Sequence, residues 1–434
     1  MTKQTKIAKG KYESKIIKRS RNNRKIFYAY INNKNRKGSG RKVGPLVKSE
    51  IGNGLEVVEE DAAMAKILNE QFCSVFNREI IGGDQINSID NGSQGKVLDN
   101  IQISIEDVEK AISEFKINKS PGIDNINSTY ALKIKDLVAQ PLRILFNKSI
   151  ETSEIPKDWK KANITPIFKK GSKSLAENYR PVSLTTFFGK VLEKIIKRNI
   201  ESYLETNGFI GTTQHGFRKG RSCLTNLLIC QYNIMCLMDQ KIPVDIIYLD
   251  FQKAFDKVPH ENLIRKVRSF GIEGKLGDWV ESWLKNREQR VAINGSYSDW
   301  AEVTSGVPQG SILGPLLFTL YINDIDTGLR NRVLKFADDT KMWGRVSSRE
   351  DILQMHDDLE RLGKWSVDNG MPFNVSKCKV IHIGNKNPRE VYKLRGQTIE
   401  EVKEEKDLGV FGTESFKPTL NCNRVSKSAN KLLD

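Results

Sequence analysis

Two short stretches of this 434-residue sequence decide the fold: YLDFQKAFD at residues 248–256 and KFADDTKMW at residues 335–343. The first begins inside VDIIYL (244–249), a short and nearly all-apolar run that is typical of a buried strand. The second sets Asp338 and Asp339 between two strand-like segments, so the pattern predicts a hairpin with the acidic pair at its tip. Both stretches therefore bring carboxylates to the end of a strand.

Carboxylates at neighbouring strand ends indicate a metal site, and Asp250, Asp338 and Asp339 are the candidate catalytic residues. Because alternate residues of a strand face opposite ways, we expect Asp338 to point at Asp250 and Asp339 to be more peripheral. Hard oxygen ligands suit Mg²⁺, with Mn²⁺ as the alternative ion. Two such ions roughly 3.5–4 Å apart would support in-line attack of a primer 3′-hydroxyl on a nucleoside triphosphate. A solvated turn is the simpler interpretation of the acidic pair when it is taken alone.

The rest of the sequence favours an α+β fold, because helical and strand patterns alternate without a repeat or a regular βαβ period. Ser104 is a good N-cap for a helix that runs to Phe115. Further helical patterns cover residues 59–76, 130–152, 192–203, 223–238, 311–325 and 351–368. Further strand candidates are residues 333–337 and 378–383.

The formal net charge of +17 is concentrated at the N-terminus, where residues 1–50 hold 16 Lys and Arg against two Asp and Glu. Such a basic arm, helical at best around residues 15–32, can bind a phosphate backbone through counterion release. A solvated tail or a nuclear targeting signal is the alternative. Residues 81–100 are rich in Gly, Asn, Asp and Ser, which predicts a flexible linker between a helix and the body of the protein.

Composition excludes several protein classes. The sequence has no run of 18 apolar residues, which argues against a membrane span, and its first 30 residues lack the apolar segment of a signal peptide. The six cysteines form neither a CxxC motif nor a zinc-finger spacing, so we expect thiols in a reducing compartment. An intracellular protein, nuclear or cytoplasmic and not secreted, is therefore expected.

Several blocks, taken in order along the chain, resemble the reverse transcriptases of non-LTR, jockey-like LINE retrotransposons. YLDFQKAFD (248–256), GVPQGSILGP (306–315) and FADD (336–339) resemble the three palm motifs of that family. SPGIDNI (120–126), the segment 158–184 and QHGFRKGRSCLTNL (214–227) resemble the preceding finger blocks. NVSKCKVIHIG (374–384) and KDLGV (406–410) resemble the blocks that follow. The resemblance covers about 104–412, with a reverse transcriptase domain over about 150–412.

This resemblance implies an RNA-directed DNA polymerase whose partners are an RNA template, a DNA primer and deoxynucleoside triphosphates. The three aspartates match the family's metal-binding positions, and Phe251 would offer its backbone carbonyl to a metal. The expected nucleotide-binding residues are Lys169, Lys170, Arg180, Phe255, Gln309 and Lys377. The expected template and primer contacts are Arg218, Lys219, Arg221, Gly310, Leu408 and Gly409.

Individual positions leave alternatives open. Phe255 matches an aromatic ring that lies under the sugar and would clash with a 2′-hydroxyl, although a core residue at the start of a helix is the alternative. Either Lys169 or Lys170 could contact phosphate, and the basic loop around Arg218 could instead be a solvated face. Lys377 could act as a general acid near the leaving pyrophosphate.

The implied fold is a right-hand polymerase with fingers, a palm with an antiparallel sheet, and a truncated thumb. Expected boundaries are a basic arm at 1–50, a helix and linker at 51–100, and fingers with part of the palm at 101–240. The palm would follow at 241–390, and the primer-grip hairpin and start of the thumb at 391–434. Two alternatives to an active enzyme are a catalytically silent RNA-binding relic and an RNA-dependent RNA polymerase.

Overall fold

The structure, a computed structural model, describes residues 43–50, 54–77, 95–117 and 119–433, together with Ser14 and Ile17. Most of the predicted basic arm and most of the predicted linker lie outside the described residues; within the range predicted as the arm, Leu46–Glu50 form a strand. The chain divides into two compact units, one formed by residues 1–60 with Phe168–Tyr179 and the other by the remainder.

The smaller unit contains an antiparallel hairpin of two strands. These are β1 (Leu46–Glu50) and β2 (Gly54–Val58). A backbone hydrogen bond of 2.9 Å from Val47 to Ser174 ties the hairpin to the segment 168–179. Within that segment the Lys169 N–H donates to the Asn178 carbonyl at 2.9 Å, which closes the loop that carries Lys169 and Lys170.

The larger unit holds the remaining elements, except for the last residue of β3 (Phe168) and the first residue of β4 (Tyr179), and its helices and strands alternate irregularly. Its helices are α1 (Asp61–Cys73), α2 (Ile105–Ser113), α3 (Ser128–Lys133), α4 (Lys135–Thr152), α5 (Phe187–Thr206), α6 (Cys223–Asp239), α7 (Ala254–Lys257), α8 (His260–Ser269), α9 (Gly274–Leu284), α10 (Gly314–Tyr321), α11 (Arg349–Asp368) and α12 (Thr419–Leu433). Its strands are β3 (Lys161–Phe168), β4 (Tyr179–Leu184), β5 (Val244–Leu249), β6 (Arg287–Ile293), β7 (Ser296–Tyr297), β8 (Ala301–Val303), β9 (Arg332–Phe336), β10 (Asp339–Arg345), β11 (Lys379–Ile383), β12 (Lys393–Leu394), β13 (Gln397–Thr398), β14 (Glu400–Glu401), β15 (Glu404–Asp407) and β16 (Val410–Thr413). The predicted α+β class is confirmed.

A five-stranded sheet in the order β14–β11–β5–β10–β9 carries both acidic motifs. Strand β5 lies at its centre and pairs antiparallel with β10 and β11, while β14 pairs parallel with β11. Five of the six residues of β5 are buried, as its nearly all-apolar sequence predicts. A second sheet, in the order β4–β3–β6–β7, contains the strand that begins near Arg180.

Helices cover the central sheet and form one large apolar core with it. Trp279 and Trp283 of α9 are almost fully buried in this core, together with most of the inner face of α5. None of the helices within the described ranges is long and apolar enough to cross a membrane.

Most predicted elements are confirmed, although several have different bounds; the helix expected over 192–203, for example, is Phe187–Thr206. Ser104 caps α2 in a capping box with Asp107, an arrangement worth about 1 kcal/mol. The single helix expected over 130–152 is two helices, α3 and α4, which meet at Ile134. The helix expected over 311–325 is shorter, because the Ser311 hydroxyl accepts the Gly314 N–H at 3.0 Å and holds residues 311–313 in a turn before α10.

Candidate active site

Asp250 follows the last residue of β5 and lies at the end of the central sheet. Its backbone carbonyl accepts the Asn374 N–H at 2.7 Å, which joins it to the loop before β11. Its side chain is 40% exposed, and its Oδ1 lies 3.3 Å from Nζ of Lys377. Asp250, a predicted metal ligand, and Lys377, a predicted general acid near the leaving pyrophosphate, are therefore in direct contact.

The acidic pair lies at a two-residue hairpin turn, as predicted. Asp339 pairs with Phe336 across the turn, so Ala337 and Asp338 are its two central residues. Thr340 pairs with Leu249 on the neighbouring strand, and the next position of this antiparallel register sets Asp339 opposite Asp250. Residues opposite each other in this way have Cβ atoms about 4.5–5.5 Å apart.

The register therefore brings Asp339, the residue expected to be more peripheral, to the same face of the sheet as Asp250. Asp339 lines a cavity of about 120 Å³ together with Asp250 and Lys377, whereas Asp338 is half-buried in the turn beside it. Because Asp338 belongs to the turn and Asp339 begins the following strand, strict alternation along a strand does not decide the directions of the two side chains. The share of each in metal binding stays a prediction.

The same cavity is bordered by the hairpin of β15 and β16, whose turn is Leu408-Gly409. Both turn residues have positive φ, 46° and 94°, as a tight hairpin turn requires. Leu408 lines the cavity, while Asp407 forms an ion pair with Lys341 of β10. Lys341 is two residues from Asp339 and only 4% of its side chain is exposed, so a buried ion pair ties the predicted primer-grip turn to the acidic hairpin.

The oxygen donors of the cavity suit a hard divalent cation. Asp250 and Asp339 supply two carboxylates, and Mg²⁺ is ordinarily held by one or two carboxylates with substrate phosphates and water completing its shell. Among the described residues, no three acidic, histidine or cysteine side chains form a metal-binding group by themselves. The Phe251 ring stacks on Phe373 with centroids 4.4 Å apart, which fixes the backbone whose carbonyl is the expected third donor.

A second group of predicted residues surrounds Phe255 at the start of α7. The Phe255 ring stacks on Phe318 of α10 at 4.4 Å and meets the edge of Phe217 at 6.3 Å. Phe318 is fully buried, while Phe217 is 46% exposed. Phe255 itself is half-buried and lines a cavity together with Gln309, so its ring is held against the core while part of it stays accessible.

Gln309 contacts a buried carboxylate that the sequence analysis did not single out. Its Nε2 donates to Oδ1 of Asp256 at 2.8 Å, and Asp256 is only 8% exposed. Burial raises the pKa of Asp256 to about 6, against the lowering effects of the Gln309 hydrogen bond and of Lys253 and Arg180. Phe255, Asp256 and Gln309 line one cavity, and Arg180, exposed on β4, is near enough to Asp256 to lower its pKa. Nucleotide binding by Arg180, Phe255 and Gln309 stays a prediction.

The loop that carries Gln309 is held from both sides. The Ser183 N–H of β4 donates to the Gln309 carbonyl at 2.7 Å. Gly310 has a φ of 125°, and a Cβ atom there would lie 2.5 Å from the Ser183 carbonyl oxygen, so this position requires glycine. Beyond the loop, buried Glu193 accepts the Ile312 N–H at 2.7 Å.

The remaining basic candidates lie in different surroundings. Arg218 is half-buried and donates to the Gly211 carbonyl at 2.8 Å, so part of its guanidinium stabilises its own loop. Burial and the neighbouring Arg221 lower the pKa of Arg218. Lys219 is exposed. Lys169 and Lys170 belong to the smaller unit, and their contact with a triphosphate stays a prediction.

Sequence reasoning missed Asp256, Gln214 and the Lys341–Asp407 pair. Asp256 stands in the quoted motif YLDFQKAFD, and its position six residues after Asp250, on the first turn of a helix, was the available signal. Gln214 lies in a quoted block and is fully buried, although no local pattern marks it. The Lys341–Asp407 pair joins residues 66 apart in the chain and has no local signature.

Comparisons with known proteins agree with the resemblance drawn from the motifs. A family model described as reverse transcriptase (RNA-dependent DNA polymerase) matches residues 167–414, more than half of the chain. A probable RNA-directed DNA polymerase from transposon BS of Drosophila melanogaster is 33% identical over 226 residues, covering 51% of this chain and 25% of that protein.

Two further relatives cover more of the chain. The RNA-directed DNA polymerase from mobile element jockey of Drosophila melanogaster is 26% identical over 298 residues, 65% of this chain and 32% of its own length. The probable RNA-directed DNA polymerase from transposon X-element of the same species is 29% identical over 295 residues, 66% of this chain and 32% of its own length. The chain spans a quarter to a third of these relatives.

Proposed function

This chain belongs to the reverse transcriptase family, and on that premise we propose that it is an RNA-directed DNA polymerase of a jockey-like retrotransposon. It would extend a primer 3′-hydroxyl with deoxynucleotides on an RNA template. The observation that carries this proposal is the register that sets Asp339 opposite Asp250 at the end of the central sheet, with Asp338 in the adjoining turn.

Asp250, Asp338 and Asp339 would hold two Mg²⁺ ions, with Mn²⁺ as a substitute, and the Phe251 carbonyl would add a donor. Bound ions of this kind supply charge stabilisation for the attacking and leaving oxygens of an in-line displacement. Lys377 lies 3.3 Å from Asp250, which supports a role in balancing this carboxylate. We propose that it would also act as a general acid near the leaving pyrophosphate. The buried Lys341–Asp407 pair would hold the Leu408-Gly409 turn where the primer end meets the acidic hairpin.

Selection of the sugar would depend on Phe255. Its ring is stacked on buried Phe318, so it cannot withdraw into the core to make room for a 2′-hydroxyl. Gln309, oriented by Asp256, would contact the nascent base pair from the other side of this site. Arg180 and one of Lys169 and Lys170 would bind the triphosphate, and Arg218, Lys219, Arg221 and Gly310 would contact the template.

In the right-hand arrangement of the family, the sheet β14–β11–β5–β10–β9 would correspond to the palm, which is expected over 241–390. Strands β3 and β4 and helices α2 to α6 would form the fingers with part of the palm, expected over 101–240. The β15–β16 hairpin would be the primer grip, followed by α12 as the beginning of a thumb.

The test is primer extension by the purified chain on poly(rA)/oligo(dT) with Mg²⁺ and either dTTP or UTP. We expect extension with dTTP and little with UTP. Extension that prefers UTP would replace the proposal with an RNA-dependent RNA polymerase. Template binding without extension by either nucleotide would favour an RNA-binding relic and would overturn the enzymatic proposal.

A further inference from the structure

We infer that Gln214 is a positioning residue for the acidic hairpin, because its side-chain oxygen holds the backbone of Ala337 immediately before Asp338 and Asp339. The inference deepens the proposed function and rests on it for its catalytic consequence. Gln214 Oε1 accepts its hydrogen bonds from backbone N–H groups, so its effect on the aspartates would pass through the backbone of the turn.

The turn that carries the acidic pair contains an unusual residue. Ala337 is the first central residue of the two-residue hairpin loop and has a φ of 56°. A positive φ at this position is the requirement of a type II′ turn, in which glycine is the ordinary residue. An alanine held in the left-handed region is unfavourable by itself, so its surroundings must impose this conformation.

Gln214 supplies that constraint from a distant part of the chain. Its Oε1 accepts the Ala337 N–H at 3.1 Å and the Gly216 N–H at 2.7 Å. Gln214 has no solvent exposure, and Ala337 is only 5% exposed. Both backbone donors would be buried without a partner if this oxygen were removed, so the side chain fixes two backbone segments at once.

The segment around Gln214 is itself fastened to strand β9. The Lys335 N–H donates to the Thr213 carbonyl, and the His215 N–H donates to the Lys335 carbonyl, both at 2.9 Å. This segment runs beside β9 through a parallel bridge between Gln214 and Lys335. The Asn226 side chain of α6 donates to the same Lys335 carbonyl at 3.2 Å.

The two hydrogen bonds that Gln214 Oε1 accepts, from Ala337 and Gly216, are called the clamp from here on. Gly216 allows the close approach of the two backbone segments on which this clamp depends. A Cβ atom at Gly216 would lie 2.3 Å from the Ala337 backbone nitrogen, which is too close for any other residue without a backbone shift. Gln214 and Gly216 are thus explained by their contact with the acidic hairpin. The basic residues that follow it, Arg218 to Arg221, are not needed for this contact.

The kinetic test compares Gln214→Met in two backgrounds, the wild-type chain and Ala337→Gly. Methionine keeps the length of the side chain and removes the oxygen. Because the left-handed alanine loses its constraint, we expect kcat for dTTP incorporation to fall about tenfold in the wild-type background, with the Kd for primer–template unchanged. Glycine adopts this φ unaided, so the same substitution in the Ala337→Gly background should cost about threefold or less.

A matched control is Gln140→Met, at an exposed glutamine of α4. Equal fold losses in the two backgrounds would overturn the inference, because they would show that Gln214 does not act through the conformation of Ala337. A Gln214→Met loss accompanied by an equal loss of primer–template binding would overturn it as well.

Amide hydrogen exchange tests the clamp without reference to activity. In Gln214→Met the Ala337 amide should lose its protection, while the Lys335 amide, bonded to the Thr213 carbonyl, keeps its own. Unchanged protection of Ala337 would refute the clamp even if the chain extends primers. If the wild-type chain extends no primer but the Ala337 amide still loses protection in Gln214→Met, the clamp is supported and only the proposed function is contradicted.

Discussion

Asp256 provides a quantitative test of the nucleotide site, because burial raises its pKa from an ordinary 3.8 to about 6. The raised pKa means that the folded chain binds this proton more tightly than the unfolded chain does. The associated stability is fully present below about pH 4 and is lost as the pH rises through about 6. The total loss corresponds to about 3 kcal/mol, of which about 1.4 kcal/mol falls between pH 5 and 7.5.

Asp256→Asn removes the titrating group and keeps a carbonyl oxygen that can accept the Gln309 N–H. We therefore expect the variant to gain stability relative to the wild type as the pH rises, by about 1.4 kcal/mol between pH 5 and 7.5. The assay is urea unfolding of both proteins at several pH values, with the exposed Asp278→Asn of α9 as control. Parallel stability curves for the wild type and Asp256→Asn would refute the assignment of a buried carboxylate with a raised pKa beside Gln309.

Three further outcomes are expected. Lys341→Met should lower the free energy of unfolding in urea by about 3–5 kcal/mol, because it leaves the largely buried Asp407 carboxylate without its cationic partner. A Lys341→Met/Asp407→Leu double variant should recover much of that loss. Phe255→Ala should raise UTP incorporation relative to dTTP in single-nucleotide extension, whereas an unchanged ratio would assign Phe255 to the core alone. Gly310→Ala should lower the thermal midpoint of unfolding more than Gly295→Ala does. Both positions have positive φ, but of the two only Gly310 would bring a Cβ atom against a neighbouring carbonyl. Equal shifts would contradict the close packing of the Gln309 loop.

Local sequence patterns predicted the elements that depend on local physics. The apolar run 244–249 forms the central strand, and Ser104 with Asp107 forms the capping box of α2. The hairpin at Asp338-Asp339 was predicted from two strand-like flanks around an acidic pair and is confirmed. Recognition of the family was also possible from the sequence, because it depends on motif order and not on contacts.

Contacts between segments that are distant in the sequence could not be predicted from local patterns. The position of Asp339 opposite Asp250 depends on the register of two strands that are far apart in the chain. Gln214 reaches Ala337 across 123 positions of sequence, and nothing in its neighbours marks it as buried. Burial, which raises the pKa of Asp256 so strongly, arises from the packing of the Gln309 loop against α7 and could not be predicted from residue type.

The most direct test of the central claim is single-nucleotide incorporation of dTTP on poly(rA)/oligo(dT) with Mg²⁺ by the Asp250→Asn variant. Asp278→Asn serves as the matched control, and primer–template binding is measured for both proteins. The arrangement of Asp250 with the acidic hairpin predicts that Asp250→Asn binds primer–template and adds no nucleotide above a no-enzyme background, while Asp278→Asn incorporates at the wild-type rate. Incorporation by Asp250→Asn at the wild-type rate would contradict the account.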